Sequence, residues 1–299
     1  MRAVTAEPAI QLSLDAVIVA VTNDEPRLLV VDDDQGPLLP TGPLDLSADV
    51  TLELALRRTV HEQTGFEVGY AEQLYTFGDR GRRGDDGTVR PISVAYLALV
   101  EERPPLPGAA WVGVYELLPW EDHRADEPAS LVDDLRPRLG RWAGDAHRER
   151  VQLAFGPPWD GIRVLERYEL LYEAGLVDEY AVDRGEVPGA GAGIPLRLDH
   201  RRIAAVALAR LRGKLTYRPV VFELLPDRFT LLELQRTVEA LAGIRLHKQN
   251  FRRLVERSGL VEGTGERADA MGGRPPELFR YRPEVLLERP RPGFGQPYR

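Results

Sequence analysis

Residues 39–66 read LPTGPLDLSADVTLELALRRTVHEQTGF. The second half of this stretch has helical spacing, with Leu52, Leu56 and Val60 at i, i+4 and i+8 forming a core stripe. On that helix Thr59, Glu62 and Gln63 stand at i, i+3 and i+4, so they share one face. Three carboxylates on such a face would hold divalent cations, because hard metals such as Mg²⁺ take several charged oxygens. Here only Glu62 is a carboxylate.

The rest of the chain brackets this helix with strands. Residues 12–21, LSLDAVIVAV, and 27–31, RLLVV, are Val-, Ile- and Leu-rich runs separated by Asn23-Asp24-Glu25-Pro26, and they read as paired strands. Further strands are expected at 70–77, 92–100 and 110–118. The charged loop 78–90, GDRGRRGDDGTVR, lies between the first two of these. Its Arg80, Arg82 and Arg83 are candidate phosphate clamps, since guanidinium forks bind phosphate oxygens bidentately. The alternative is a solvated hairpin tip. Tyr75 or Phe77 either stacks on a base or packs in the core.

At 299 residues the chain has room for two domains. It has no cysteine, which removes disulfides and thiolate metal sites, and its five histidines are scattered without ligand spacing, so no metal site is expected. No apolar run approaches the roughly twenty residues of a membrane span, and MRAVTAEPAI lacks a signal-peptide core. A cytoplasmic protein without membrane partners is expected. The net charge of −8 is unevenly spread: residues 199–299 hold 20 Lys+Arg against 12 Asp+Glu, the remainder 19 against 35. A basic last third on an acidic body suggests that only the last third meets a polyanion.

Residues 121–198 are less legible. Helices are expected over 131–140 and 164–174, the second with Val164, Leu165, Tyr168, Leu171 and Tyr172 on one side. Trp142 and Trp159 would anchor a small satellite core, and 186–195, EVPGAGAGIP, reads as a flexible linker. Asp199 is then expected to N-cap a helix over 200–214 with Ala204, Leu208, Leu211 and Leu215 buried. Thr230-Leu-Leu-Glu233 is a capping box opening a helix that Gly243 ends. A second helix over 247–258 turns Phe251, Leu254 and Val255 inward and Lys248, Gln249, Asn250, Arg252 and Arg253 outward. Two short helices joined by a Gly-containing turn match the helix-turn-helix plan. The segments 260–264 and 277–282 follow as a β-hairpin with Arg267 and Arg274 at its tip, the wing of a winged helix.

The stretch 39–66 resembles a Nudix box, the loop–helix–loop that binds metal-chelated diphosphates. An active box carries Glu where this chain has Thr59 and Gln63, and its loop is two positions shorter than the span from Gly42 to Arg58. With LDHRRI (198–203), FELLP (222–226), FTLLELQ (229–235), NFRR (250–253), GGRPPELFRY (272–281), YTFGD (75–79) and SVAYLAL (93–99), the chain resembles the Nudix-related transcriptional regulators of bacteria. The resemblance implies an α+β fold: a Nudix-like mixed sheet with helices over 1–119, completed by helix 199–215, and a winged helix-turn-helix domain over 216–299. Residues 120–198 interrupt the family pattern as a partly helical insertion, expected to pack beside the first domain without contacting DNA and to be dispensable for operator binding.

The function implied is a ligand-responsive, homodimeric repressor that binds palindromic operator DNA. Its impaired Nudix domain would sense ADP-ribose or a related nucleotide or nucleotide sugar, and no cofactor is required. Effector contacts are assigned to Arg57, Arg58, Glu62, Tyr75, Phe77, Arg80, Arg82 and Arg83. DNA contacts are assigned to Lys248, Gln249, Asn250, Arg252, Arg253, Arg267 and Arg274. The alternative class is a Nudix pyrophosphatase with an accessory winged helix, in which Glu53 or Asp49 substitutes for the missing carboxylates. A protein–protein adaptor is the third, and it would show no salt-sensitive DNA binding.

Overall fold

The computed structural model describes residues 9–78, 89–189, 191–268 and 275–288. Arg80, Arg82, Arg83 and Arg274 lie outside the described residues. Asn23 and Asp24 take left-handed backbone (φ 53 and 65) and fold strand β1 (Ala9–Thr22) back onto β2 (Glu25–Asp33), with Thr22 opposite Glu25. Then come β3 (Gly36–Leu38), β4 (Thr41–Pro43), helix α1 (Leu52–Thr64), β5 (Tyr70–Phe77), β6 (Val89–Leu99) and β7 (Ala109–Gly113). The sheet runs β3-β2-β1-β6-β5, with β4 also on β1 and β7 also on β2. β6 lies parallel to β1 and every other pairing is antiparallel, so the sheet is mixed.

Side chains alternate across this sheet and separate two cores. Leu14, Ala16, Ile18 and Ala20 pack with Ala55, Leu56 and Val60 of α1. Val17 and Val19 face the opposite core, which contains helix α7. Thr51 caps α1 by accepting from Leu54 N–H, and Gly65 ends it at φ 75.

The run at 110–118 is not one strand. After β7 the chain turns into α2 (Val114–Leu117), where Gly113 N–H donates to the Glu116 carboxylate at 3.2 Å and Val114, Tyr115 and Leu117 are buried. Burial on successive sides of one turn gives the same apolar string that a fully buried strand would. Ser130–Leu135 then forms a widened helical turn that runs into α3 (Arg136–Ala143). It is followed by α4 (Arg148–Phe155), α5 (Val164–Glu173) and α6 (Asp178–Val182).

Residues 120–198 are inserted in sequence but not in packing. Leu131, Leu135, Leu139, Phe155, Val164, Tyr168 and Leu171 belong to the same core as Val17 and Val19 of β1 and Leu208 and Leu211 of α7. Trp142 and Trp159 pack against that core and form no separate one. The glycine-rich stretch is also tied down. Gly191 N–H donates to Asp178, Ala192 N–H to Leu176 O and Ile194 N–H to Glu116 O, while Arg201 donates to Ala192 O.

Helix α7 (His200–Leu215) buries Ala204, Leu208, Leu211 and Leu215, and Asp199 occupies its N-cap position without a side-chain capping bond. The winged helix comprises α8 (Leu231–Ala242), α9 (Lys248–Ser258), β8 (Val261–Arg267), β9 (Glu277–Tyr281) and a short α10 (Val285–Glu288). Thr230 and Glu233 form the expected capping box, with bonds of 3.2 and 2.6 Å. Val238 and Leu241 of α8 join the α7 core, so the described body and reading head share one apolar interior.

Candidate functional site

The box helix spends its chemistry on holding its own loop. Thr59 is buried against Gly42, where an added Cβ would sit 2.8 Å from Thr59 Oγ1. Gln63 grips the backbone of Thr41 in both directions: Thr41 N–H donates to Oε1 at 3.1 Å, and Nε2 donates to Thr41 O at 2.7 Å. A glutamate cannot make the second bond. Glu62 remains exposed and accepts from Arg58 at 3.3 Å, while Arg58 forks onto Asp49 at 3.1 and 2.9 Å. That fork holds the Asp49 carboxyl below the usual carboxylate range. Glu53 is paired with Arg57, which also donates to Gly69 O. Four carboxyl and amide groups near this face are thus committed to arginine or backbone, and the donor set does not fit a divalent cation.

The effector residues expected from sequence are split by the sheet. Arg57, Arg58 and Glu62 stand on the α1 side. Phe77 is buried in the core on the other side, with the Arg202 guanidinium 5.7 Å from its ring. Packing in the core therefore decides the alternatives for Phe77. Tyr75 is 65% exposed and meets Phe77 edge-on at 5.5 Å.

None of the described ones among these residues lines a cleft of about 1000 Å³ on the α7 face of the sheet. Ser13 and Thr41 form its floor, and Tyr168, Tyr172, Arg197 and Arg202 its walls. Arg202 pairs with Glu169 at 2.7 Å, and Arg197 with Asp33 and with Gln35 at 2.8 Å. Tyr172 donates to Asp183 at 2.6 Å, and burial, then that bond, pushes its hydroxyl up to about 12, so it stays a donor at neutral pH. His200 secures the floor. Leu39 N–H donates to its Nδ1 at 2.9 Å, which puts the proton of the neutral ring on Nε2, 3.7 Å from Asp15. Thr41 Oγ1 donates to the same Asp15 at 2.5 Å. Tyr168 and Tyr172 escaped the sequence reading because a helical stripe does not say which of its members reaches a cavity.

The second surface is basic. Lys248, Gln249, Asn250, Arg252 and Arg253 are all exposed on α9, opposite buried Phe251 and Val255 and half-buried Leu254. Arg252 is steadied by Glu256 at 2.9 Å, an exposed pair of small energetic consequence. Arg267 is exposed and faces Glu277 across the wing. The wing also carries carboxylates that the sequence reading passed over: Glu262 pairs with Arg280 at 2.6 Å, and Glu266 with Arg228.

A Nudix-type layered body joined to a winged helix with an exposed basic second helix defines the class: a regulator with a small-molecule domain and a nucleic-acid reading head. Residues 221–281 match the model of the NrtR DNA-binding winged helix domain. The chain is 23% identical over 279 residues to the ADPR responsive transcriptional repressor NtrR of Acinetobacter baylyi, covering 92% of this chain and 83% of that one. In fold it resembles Shewanella oneidensis NrtR crystallised with a 27mer DNA (22% identity, TM-score 0.59, 92% and 95% of the two chains). It also resembles a MutT/nudix family protein from Enterococcus faecalis (15%, TM-score 0.57, 94% and 90%). Residues 221–281 thus resemble a winged helix of the NrtR type, carried on a body of Nudix-like fold.

Proposed function

We propose that this protein is a transcriptional repressor that binds palindromic operator DNA as a homodimer and releases it in response to ADP-ribose or a related nucleotide. The observation that carries the reading is the basic exposed face of α9 on a buried apolar stripe, within the segment matched to a DNA-binding winged helix. The Acinetobacter relative supports the effector class. We place the effector in the cleft between the sheet and helices α5 and α7, reached from the box loop through Thr41.

Selection from random duplexes supplies the operator for the test. Two-fold symmetry of a dimer then calls for an inverted repeat, because one recognition helix reads few base pairs. Against the selected site, Lys248→Ala or Arg252→Ala should each cost roughly 1–3 kcal/mol if the side chain reads a base edge, and less if it touches only phosphate. Neither change should lower the unfolding midpoint, since both side chains point away from Phe251 and Val255. A selection that enriches nothing, with both variants equal to wild type on every duplex, would remove the DNA reading.

The pyrophosphatase alternative has its own test. With Mg²⁺ or Mn²⁺ the protein should not cleave ADP-ribose at an enzyme-like rate, on the order of 1 s⁻¹ or more. The reason is that Thr59 and Gln63 hold the loop and supply no carboxylate. Release of AMP at such a rate, abolished by Glu62→Gln, would establish the enzyme instead.

A further inference from the structure

The carbonyls at the end of α8 are held by the body of the protein. The last four carbonyls of a helix lack intrahelical partners and take whatever donors lie nearby. Here Arg212 Nε donates to Leu241 O at 3.0 Å, and the Tyr115 hydroxyl donates to Ala240 O at 2.5 Å. In the turn itself, His123 N–H donates to Gly243 O at 2.7 Å. The Arg212 guanidinium is fully buried and also donates to Glu121 Oε2 at 2.5 Å and to the Glu121 carbonyl at 3.0 Å. Gly243 has φ +69, and a Cβ there would stand 2.4 Å from both Arg212 Nη2 and Glu121 O. The body therefore fits closely around the turn that leads into α9.

Two helices connect this joint to the cleft. Helix α7 carries Arg202 at the cleft and Arg212 at the joint, about 15 Å apart along its axis. Helix α5 carries Tyr168 and Tyr172 at the cleft, and its Arg167 forks onto Glu121 at 2.6 and 2.9 Å. Glu121 is thus a carboxylate shared by arginines of α5 and α7, and it is fully buried. Because buried groups of this kind lose much by being left unpaired, the reading head has few permitted orientations rather than a continuum.

We propose that Arg212, Glu121 and Tyr115 are positioning residues for DNA recognition, which fix the orientation of α9 against the body and pass the state of the cleft to it. This rests on the DNA-binding reading above. Tyr115→Phe removes one hydroxyl and keeps the packing; Arg212→Lys keeps the charge but not the fork that spans Glu121 and Leu241. With the operator obtained by selection, Tyr115→Phe should lose about five- to tenfold in specific affinity, the scale of one buried hydrogen bond. Its unfolding midpoint should fall by no more than a few degrees, as the loss of one buried hydrogen bond requires, and its binding to random-sequence duplex should stay at the wild-type value. Preference for half-site spacing should broaden in both variants, and added ADP-ribose should change operator affinity less than in wild type.

Variants equal to wild type in operator affinity, spacing preference and ADP-ribose response would overturn the proposal. So would a loss of specific and non-specific binding together with a lowered midpoint, which is the mark of a merely structural role. A wild type that selects no duplex removes the DNA reading and this inference with it. A wild type that binds its operator but ignores ADP-ribose removes only the effector assignment, and affinity and spacing then decide the positioning role.

Discussion

Deleting residues 120–197 and closing the gap with a short linker should give a chain that does not fold cooperatively. The deletion takes Leu131, Leu135, Phe155 and Leu171 out of the core they share with Leu208 and Leu211, and strips from α7 the helix α5 that packs on it. At roughly 1.5–3 kcal/mol for each large apolar side chain, losing the burial of four of them costs about 6–12 kcal/mol. That alone is comparable with a total stability of roughly 5–15 kcal/mol. The charges make it worse. Arg212 would lose Glu121, and Arg201 would lose Glu179, so two buried pairs would be broken from one side. Breaking a buried pair from one side costs about 3–5 kcal/mol. Circular dichroism and thermal unfolding of the deletion protein provide the check. A soluble product with a sharp transition near that of the full chain would mean that the segment has its own core.

Operator binding should weaken by about a thousandfold or more when salt rises from about 50 to about 200 mM. Lys248, Arg252, Arg253 and Arg267 are exposed on the winged helix, so the proposed dimer would neutralise enough phosphates to release many condensed counterions. The sign follows from entropy: released cations gain less freedom when the bulk already holds many. The acidic remainder of the chain should not contribute, because its surplus of 35 Asp+Glu over 19 Lys+Arg repels the backbone. Fluorescence anisotropy at a series of salt concentrations gives the slope directly. Lys248→Ala should flatten that slope by about one if it touches phosphate. A salt-independent affinity would instead point to a protein–protein adaptor.

The two halves of the site differ in how openly the sequence displayed them. Helix α9 was legible because a helix exposes its logic locally: Phe251 and Val255 a turn apart are buried, and the basic residues between them have nowhere to point but outward. The capping box at Thr230 and Glu233 is equally local, since both partners lie within one turn. The cleft was not legible. Phe77 and Arg58 are near the box in sequence but lie on opposite faces of the sheet, and nothing in a period-two pattern says which face borders a cleft.

By itself, the amino-acid sequence determined strands β1, β2, β5 and β6, helices α1, α5 and α7, the degenerate box, the helices of the winged helix and the concentration of positive charge in the last third. These are properties of neighbouring residues or of composition. Only the tertiary structure decided that residues 120–198 are part of the main core, because Leu131, Phe155 and Leu171 share one buried cluster with Val17, Val19 and Leu211, far away in the chain. Only the structure showed that Gln63 reads the backbone of Thr41, 22 residues upstream. It also placed Arg167, Arg201 and Arg212 fully inside the protein. A buried arginine needs carboxylates and carbonyls converging from several elements, such as Glu121, Glu179 and Leu241 O here. That convergence has no local signature, because it exists only once the chain has closed around it.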